Sequence, residues 1–393
     1  MKILSVTARF PYPPFKGDQS IPFHRLKYMG DKHDITLLTF YENKKELTFL
    51  EKITPYCKQV ITVKKSFFRS IFNMLVFGLF SRLPFQVLYY QSRKFKQQLT
   101  KLMVENSFDI LHVYMLRIAE YGKDIQNPGM PKILELIDSM QMNFQRRLEK
   151  EKWPKKWFFK LELKRLKTYE PEMVKNYHRS IVVSEKEKDF INHDRVMAIP
   201  LGIDTGEFHP GKNKLLKSKV IAFTGNMGYF PNKNAILWFL KNCWEIIKEQ
   251  VPGMQLVIAG KNPGPGIKKY KHDDSVQVLG YVDSVAAVLQ KAHLAIAPLQ
   301  SGSGMQFKIL EAMACALPVV TTRIGLGTIP AVNNESILVA NNPEDFAQCC
   351  IRLLTDDTLA ESIGKKALQI VQQTFTWERN IDKLYQLYEQ ERN

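Results

Sequence analysis

Short apolar runs alternate with longer stretches of mixed polarity along the whole chain. In the first half, residues 3–8, 35–40, 60–63, 110–113, 133–137 and 180–183 read as strands, separated by segments long enough for helices. The second half repeats the theme at 220–224, 255–259, 276–279, 294–297 and 318–321. Repeated strand and helix alternation predicts a parallel, doubly wound sheet, here twice over. A length of 393 residues agrees, because it exceeds one core of usual size and predicts two domains of about 200 residues each. Between them, residues 196–211 contain Pro200, Gly202, Gly206, Pro210 and Gly211 and read as a linker.

One stretch carries more chemistry than the rest. Residues 298–322 read as a strand end, a glycine-serine turn, a helix over 305–315 and a second apolar strand. Gly302 and Gly304 allow close backbone approach, and the free amides that open a helix attract an anion, so the turn is a candidate phosphate cradle. Lys308 adds a cation, and Glu311 follows at i+3 on the same helical face, where a carboxylate suits sugar hydroxyls. Phosphate beside sugar points to a nucleotide sugar. The plainer alternative is a corner-turning loop ahead of a solvated helix.

Composition narrows the class. With 45% hydrophobic and 24% charged residues the chain reads as globular, and no unbroken apolar stretch reaches the roughly 18 to 20 residues that span a bilayer. No signal-like leader opens it, which predicts a cytoplasmic protein. Five cysteines, Cys57, Cys243, Cys315, Cys349 and Cys350, show no metal-ligand spacing and are expected as reduced thiols. The net charge of +17 is lopsided: residues 1–200 hold 36 Lys and Arg against 21 Asp and Glu, a surplus of 15. A basic surface suits anionic lipid or nucleic acid, but no nucleic-acid-binding signature is present, so a membrane surface is the expected partner and nucleic acid is not. Two stretches fit that expectation. Residues 67–85 are strongly apolar beside Lys64, Lys65 and Arg82, and residues 150–167 interleave Trp153, Trp157, Phe158 and Phe159 with basic residues. Alternatively, the first is a buried helix and the second a solvated one with its aromatics turned inward.

Residues 199–208, Ile-Pro-Leu-Gly-Ile-Asp-Thr-Gly-Glu-Phe, and 223–233, Phe-Thr-Gly-Asn-Met-Gly-Tyr-Phe-Pro-Asn-Lys, stand ahead of the glycine-serine turn. In that order the three segments resemble the donor-binding signature of retaining glycosyltransferases of family 4. The resemblance runs from the first strand to Trp377 and is densest over 180–325. It implies a GT-B fold, two doubly wound Rossmann-like domains facing across a cleft: 1–198 for the acceptor, 199–374 for the donor, and 375–393 as a helix crossing back, opening at Phe375-Thr-Trp-Glu378. It also implies transfer of a hexose-type sugar from a UDP- or GDP-type donor to a lipid-linked or growing glycan, with retention. No cofactor is implied, the nucleotide sugar being a substrate. No metal is expected, since the chain lacks an Asp-x-Asp device. The setting would be peripheral at the inner face of the cell membrane, in polysaccharide or surface-glycan synthesis.

Residue by residue, Lys308 and Lys233 would hold the diphosphate. Gly17, Asn226, Gly302, Ser303, Gly304, Met305, Gln306 and Glu311 would line the donor, Glu311 on the ribose. Asp138, closing its strand beside Ser139, would orient an acceptor hydroxyl or else cap a helix. Arg9, Lys16, His112, Tyr114 and Arg117 fall on the acceptor side, with the alternative that His112 is a structural histidine and Tyr114 or Arg117 takes over its contacts. Three positions depart from the family. Asn226 stands where an arginine is common, Ser303 where a first glutamate would meet the hexose, and Tyr114 where many relatives carry a second histidine. Those departures keep a second reading in view, an inactive glycosyltransferase-like scaffold docked at the membrane. A nicotinamide-dependent dehydrogenase is excluded by the absence of Gly-x-Gly-x-x-Gly after the first strand.

Overall fold

The computed structural model describes residues 1–14, 17–150, 152–211, 219–301 and 305–392. They form two compact units, Met1–Leu201 with Trp377–Asn393, and Gly202–Thr376.

The first unit is built on seven parallel strands: β1 (Lys2–Thr7), β2 (Asp34–Tyr41), β3 (Gln59–Lys64), β4 (Ile110–Tyr114), β5 (Lys132–Ile137), β6 (Arg179–Val182) and β7 (Val196–Ala198). Their order is β3-β2-β1-β4-β5-β6-β7, so the chain winds outward to β3 and then jumps back past β1 to start again at β4. Strands β1, β2, β4 and β5 are buried at nearly every position, as a parallel sheet covered on both faces requires. The closing helix Trp377–Arg392 belongs to this unit. Its Ile381, Leu384, Leu387 and Tyr388 pack with Ile3, Leu26 and Ile35, and Trp377 stacks on His24 at 4.8 Å.

Beneath that helix lies a buried charged network. Arg25 donates to Glu135 at 2.6 Å, His112 Nε2 stands 3.2 Å from the other Glu135 oxygen, and His112 Nδ1 meets the Tyr388 hydroxyl. Burial disfavours the Glu135 charge, but Arg25 and His112 outweigh it and hold the carboxyl below its usual range. Burial pushes His112 down, towards a neutral ring.

The second unit has six parallel strands: β8 (Val220–Thr224), β9 (Gln255–Ala259), β10 (Val276–Gly280), β11 (Leu294–Ala297), β12 (Val319–Thr321) and β13 (Leu338–Val339). The order β10-β9-β8-β11-β12-β13 reverses between β8 and β11. Its core is dense and aromatic, with Phe223, Phe239, Trp244 and Phe346 fully buried.

Two expectations need correction. Residues 196–198, read as linker, form β7 and pair with β6, and β13 was not foreseen. Residues 67–85 do not form one helix. Helix Phe67–Phe72 runs into a wider π-turn at Asn73–Phe77 and a last turn at Gly78–Phe80; Phe68 and Phe80 are 84% and 87% exposed, against the buried-helix alternative. In helix Lys155–Asn176 the aromatics split: Phe159 is buried, while Trp157 is 66% exposed. No described helix is long and apolar enough to cross a membrane.

Candidate active site

In open parallel sheets, ligands collect outside the carboxyl ends of the strands where the winding reverses. In the second unit that point lies between β8 and β11, flanked by residues 225–229 and by 298–301 and 305–306. Gly225 follows β8 with φ of +144°, and a side chain there would lie 2.8 Å from Asn232 Nδ2 and 2.9 Å from Lys308 Nζ. The glycine therefore lets two polar side chains converge. Lys308, from helix Phe307–Ala314 behind β11, reaches across the reversal and donates to Asn232 Oδ1 at 2.5 Å. Its ammonium also lies 4.7 Å from the Phe223 ring centroid. Burial pulls Lys308 down to about 8, with Glu311 acting the other way. Burial pushes Glu311 up to about 7, opposed by Lys308 and assisted by Glu207. Both side chains are half-buried; near neutral pH Lys308 is mostly charged, whereas Glu311 is close to half-protonated.

The other donor residues fall into three groups. Met305 and Gln306 lead into the helix. Gln306 takes the N-cap position without a side-chain cap bond; its carbonyl accepts from the Ile309 amide at 3.0 Å, so the Phe307 and Lys308 amides are the ones that can meet an anion. Asn226 is occupied locally. Its Oδ1 accepts from the Gly228 amide at 2.9 Å and from Asn262 Nδ2 at 3.4 Å, and its carbonyl accepts from Asn232. It braces the loop where the family commonly places a cation. Lys233 is exposed and leans over the Gly264 loop, 3.8 Å from where a Cβ there would stand. Gly302, Ser303, Gly304 and Lys16 lie outside the described residues, and Gly17 opens helix Gly17–Met29 in the first unit.

Three contributors were not foreseen. Asn232 holds Lys308, Phe223 lies against it, and Glu207 bears on Glu311. Asn232 and Glu207 sit inside the sequence segments already singled out, but nothing in their spacing says that they converge.

The first unit reverses between β1 and β4, and its crevice gathers Arg9 and Arg117 as expected acceptor-side residues. Both face Asp18, at 3.3 Å and 3.7 Å from the same oxygen. Arg9 also donates to the Tyr90 hydroxyl at 3.5 Å. Burial would raise that phenol, but Arg117, Lys65 and Arg9 together hold it below its ordinary value. His112 and Tyr114 do not belong here. They stack on each other at 4.1 Å, both buried, with His112 held by Glu135 and Tyr388. A side chain packed under the closing helix offers no face to an acceptor.

Asp138 ends β5 and is hydrogen-bonded to Glu187, at the start of helix Glu185–Ile191 behind β6. Capping falls instead to Ser139, whose Oγ accepts from the Met142 amide at 3.1 Å. Burial raises both carboxyls. Glu187 rises to about 8, first through burial and then through the Asp138 charge, so near neutrality the pair holds one proton between them. Such a pair can accept a hydroxyl proton or hold a hydroxyl in place. Glu187 escaped the sequence reading, although Ser184-x-x-Glu187 is a capping-box spacing.

Residues 218–356 match the family described as Glycosyl transferases group 1. Over nearly its whole length the chain is 23% identical to an uncharacterized 44.6 kDa protein in the cps region of Klebsiella pneumoniae, covering 95% of this chain and 96% of that one. It is 24% identical to the UDP-Gal:alpha-D-GlcNAc-diphosphoundecaprenol alpha-1,3-galactosyltransferase of Escherichia coli, over 74% of this chain and 77% of that enzyme. Among solved structures, Anabaena HepE in complex with UDP superposes with a TM-score of 0.70 at 12% identity, over 99% of this chain and 100% of that one. Sucrose-phosphate synthase of Thermosynechococcus elongatus gives 0.69 at 16% identity, over 99% and 98%. The two parallel-sheet α/β units have the GT-B fold, and the findings together support the glycosyl transferases group 1 family.

Proposed function

We propose that this chain, a glycosyltransferase by fold and by its second-unit motif, moves a hexose-type sugar from a UDP- or GDP-type donor to a lipid-linked or growing glycan. The transfer retains anomeric configuration, needs no metal or cofactor, and serves polysaccharide or surface-glycan synthesis at the inner membrane face. The observation that carries the reading is Lys308 poised on Asn232 at the β8/β11 reversal, one helical turn from Glu311. As the bond from the anomeric carbon to the diphosphate breaks, its electron pair goes to a phosphate oxygen. Lys308, the uncapped helix amides and Lys233 offset that charge, more strongly at the transition state than before it. The acceptor oxygen bonds to the same face of the sugar, and its proton passes to the departing phosphate. Glu311 holds the ribose. Asp138 with Glu187, and Arg9 with Arg117, attend the acceptor from the first unit.

Support from relatives is of two kinds. A galactosyltransferase acting on a diphosphoundecaprenol substrate is similar over three quarters of this chain, and a cps-region protein is similar over nearly all of it. Nucleotide release from a panel of UDP- and GDP-sugars, with membrane lipid extract as acceptor and with and without EDTA, tests the reading. Release with one donor that EDTA leaves intact is expected. No release with any donor would overturn it. Asn226, locked in its own turn, favours the scaffold reading, and titration calorimetry separates the two because a scaffold binds no nucleotide sugar.

A further inference from the structure

We propose that the first unit carries a second site: a cavity that takes the phosphate headgroup of an anionic phospholipid, with an apolar rim that enters the bilayer surface. The cavity, of 690 Å³, lies where β3 ends and helices Phe67–Phe72 and Arg93–Glu105 begin. Lys64, Lys65, Arg69 and Lys94 line it among neutral polar groups, with no acidic residue in the lining. An adjoining cavity of 270 Å³ shares Arg69 and adds Arg93. Lys65 is already compensated, with Glu42 at 2.6 Å and the Tyr89 and Tyr90 rings at 4.1 Å and 4.2 Å, so it serves as the floor. Lys64, Arg69, Arg93 and Lys94 have no carboxylate partner among the described residues. Three uncompensated cations around one polar recess, with a fourth in the cavity beside it, fit an anion.

The rim chooses a lipid over a free anion. Phe67 and Phe68 follow the lining residue Ser66 directly and are 61% and 84% exposed; Phe72 lies beyond them at 57%, and the π-turn continues the surface to Phe80. Large apolar side chains in that state gain by entering a head-group layer, and cations beside them gain from anionic lipid. The surface is braced from behind. Glu162 accepts from the Phe85 and Gln86 amides at 2.7 Å and 3.2 Å, Arg165 donates to the Gly78 and Leu83 carbonyls, and Phe85 stacks on Phe158 at 4.9 Å. The helix bearing exposed Trp157 is thereby fastened to the apolar segment. This deepens the membrane contact proposed above and rests on it only for where the lipid is met.

Vesicle flotation of the full chain tests it, using phosphatidylcholine alone and phosphatidylcholine mixed in equal parts with phosphatidylglycerol. Binding to the mixed vesicles alone is expected. K64Q/R69Q/K94Q should weaken it about a hundredfold, and F67S/F68S/F72S should weaken it about tenfold or more. All six positions are exposed, so melting temperature and nucleotide binding should stay at wild-type values in both variants. Excess glycerol phosphate should compete for the cavity without releasing a protein held by its rim alone. Equal flotation of wild type and the triple-glutamine variant overturns the proposal. So does binding of a single-stranded RNA probe that the same variant loses while wild type ignores both vesicles. If flotation fails but nucleotide sugars still turn over, the lipid site falls and the enzyme reading stands; the converse separates them the other way.

Discussion

The two sheet reversals are built alike and charged oppositely to what the composition suggests. The first unit holds most of the surplus positive charge, yet the two arginines in its crevice share one carboxylate, Asp18. The second unit is nearly neutral overall, yet its crevice holds a lysine whose hydrogen-bond partner is a neutral amide. Net charge therefore says where a chain meets an extended anionic surface, and local pairing says where it binds one discrete anion. A cation hydrogen-bonded to a neutral amide, with its nearest carboxylate one helical turn away, is free to turn to a diphosphate. A compensated pair suits neutral hydroxyls, which need direction more than charge.

The largest effect should come from the charge that is purely structural. Replacing Glu135 by Gln leaves Arg25 buried without its counter-ion, and removing one partner of a buried pair costs about 3 to 5 kcal/mol. Urea denaturation reads it directly; a loss below about 1 kcal/mol would mean that the network is less dry than its burial indicates. Next comes Lys308→Ala. If this lysine stabilises the departing phosphate, kcat/KM should fall about 100- to 1,000-fold, the range found when one transition-state donor is removed. An unchanged kcat/KM would move the phosphate site elsewhere.

How much of this was legible follows from the range of each interaction. Every strand long enough to show an apolar run was readable, whereas β7 and β13, of three and two residues, offer no pattern to read. Lys308 and Glu311 were readable because the turn, the helix start and the i+3 spacing all lie within a dozen residues. Asn232 was not, because it meets Lys308 across 76 positions of sequence. His112 and Tyr114 stayed open between structural and acceptor-side roles for a related reason. Both point to one face of β4, but only the return of the closing helix, with Tyr388 over His112, decides that this face is covered. Exposure of Phe67 and its neighbours was equally hidden, since an apolar run reads the same whether buried or presented.

Glu311→Gln should cost less than Lys308→Ala, about 10- to 100-fold in nucleotide affinity if one charged hydrogen bond to ribose is weakened. It also tests the electrostatics. Lys308, pulled down to about 8, loses its charge as pH rises past that value; Glu311, pushed up to about 7, gains a proton as pH falls past that one. Nucleotide affinity should therefore peak between these values and decline on both sides. In Glu311→Gln the acid decline should vanish and the alkaline one remain. A profile flat from pH 6 to 9, or an acid limb that survives the substitution, would remove both groups from the site.

Asp18→Asn should have the smallest effect and sharpen the comparison most. It uncovers Arg9 and Arg117 in a partly solvated crevice, where such pairs contribute about 0 to 1 kcal/mol. Acceptor KM should shift no more than about fivefold and donor affinity should not move, because the donor's phosphate answers to Lys308, Lys233 and the helix amides of the second unit rather than to the two arginines. If Asp18→Asn instead tightens nucleotide-sugar binding tenfold, Asp18 is a brake on donor binding, and the division of labour between an ion-paired crevice and an amide-held lysine fails.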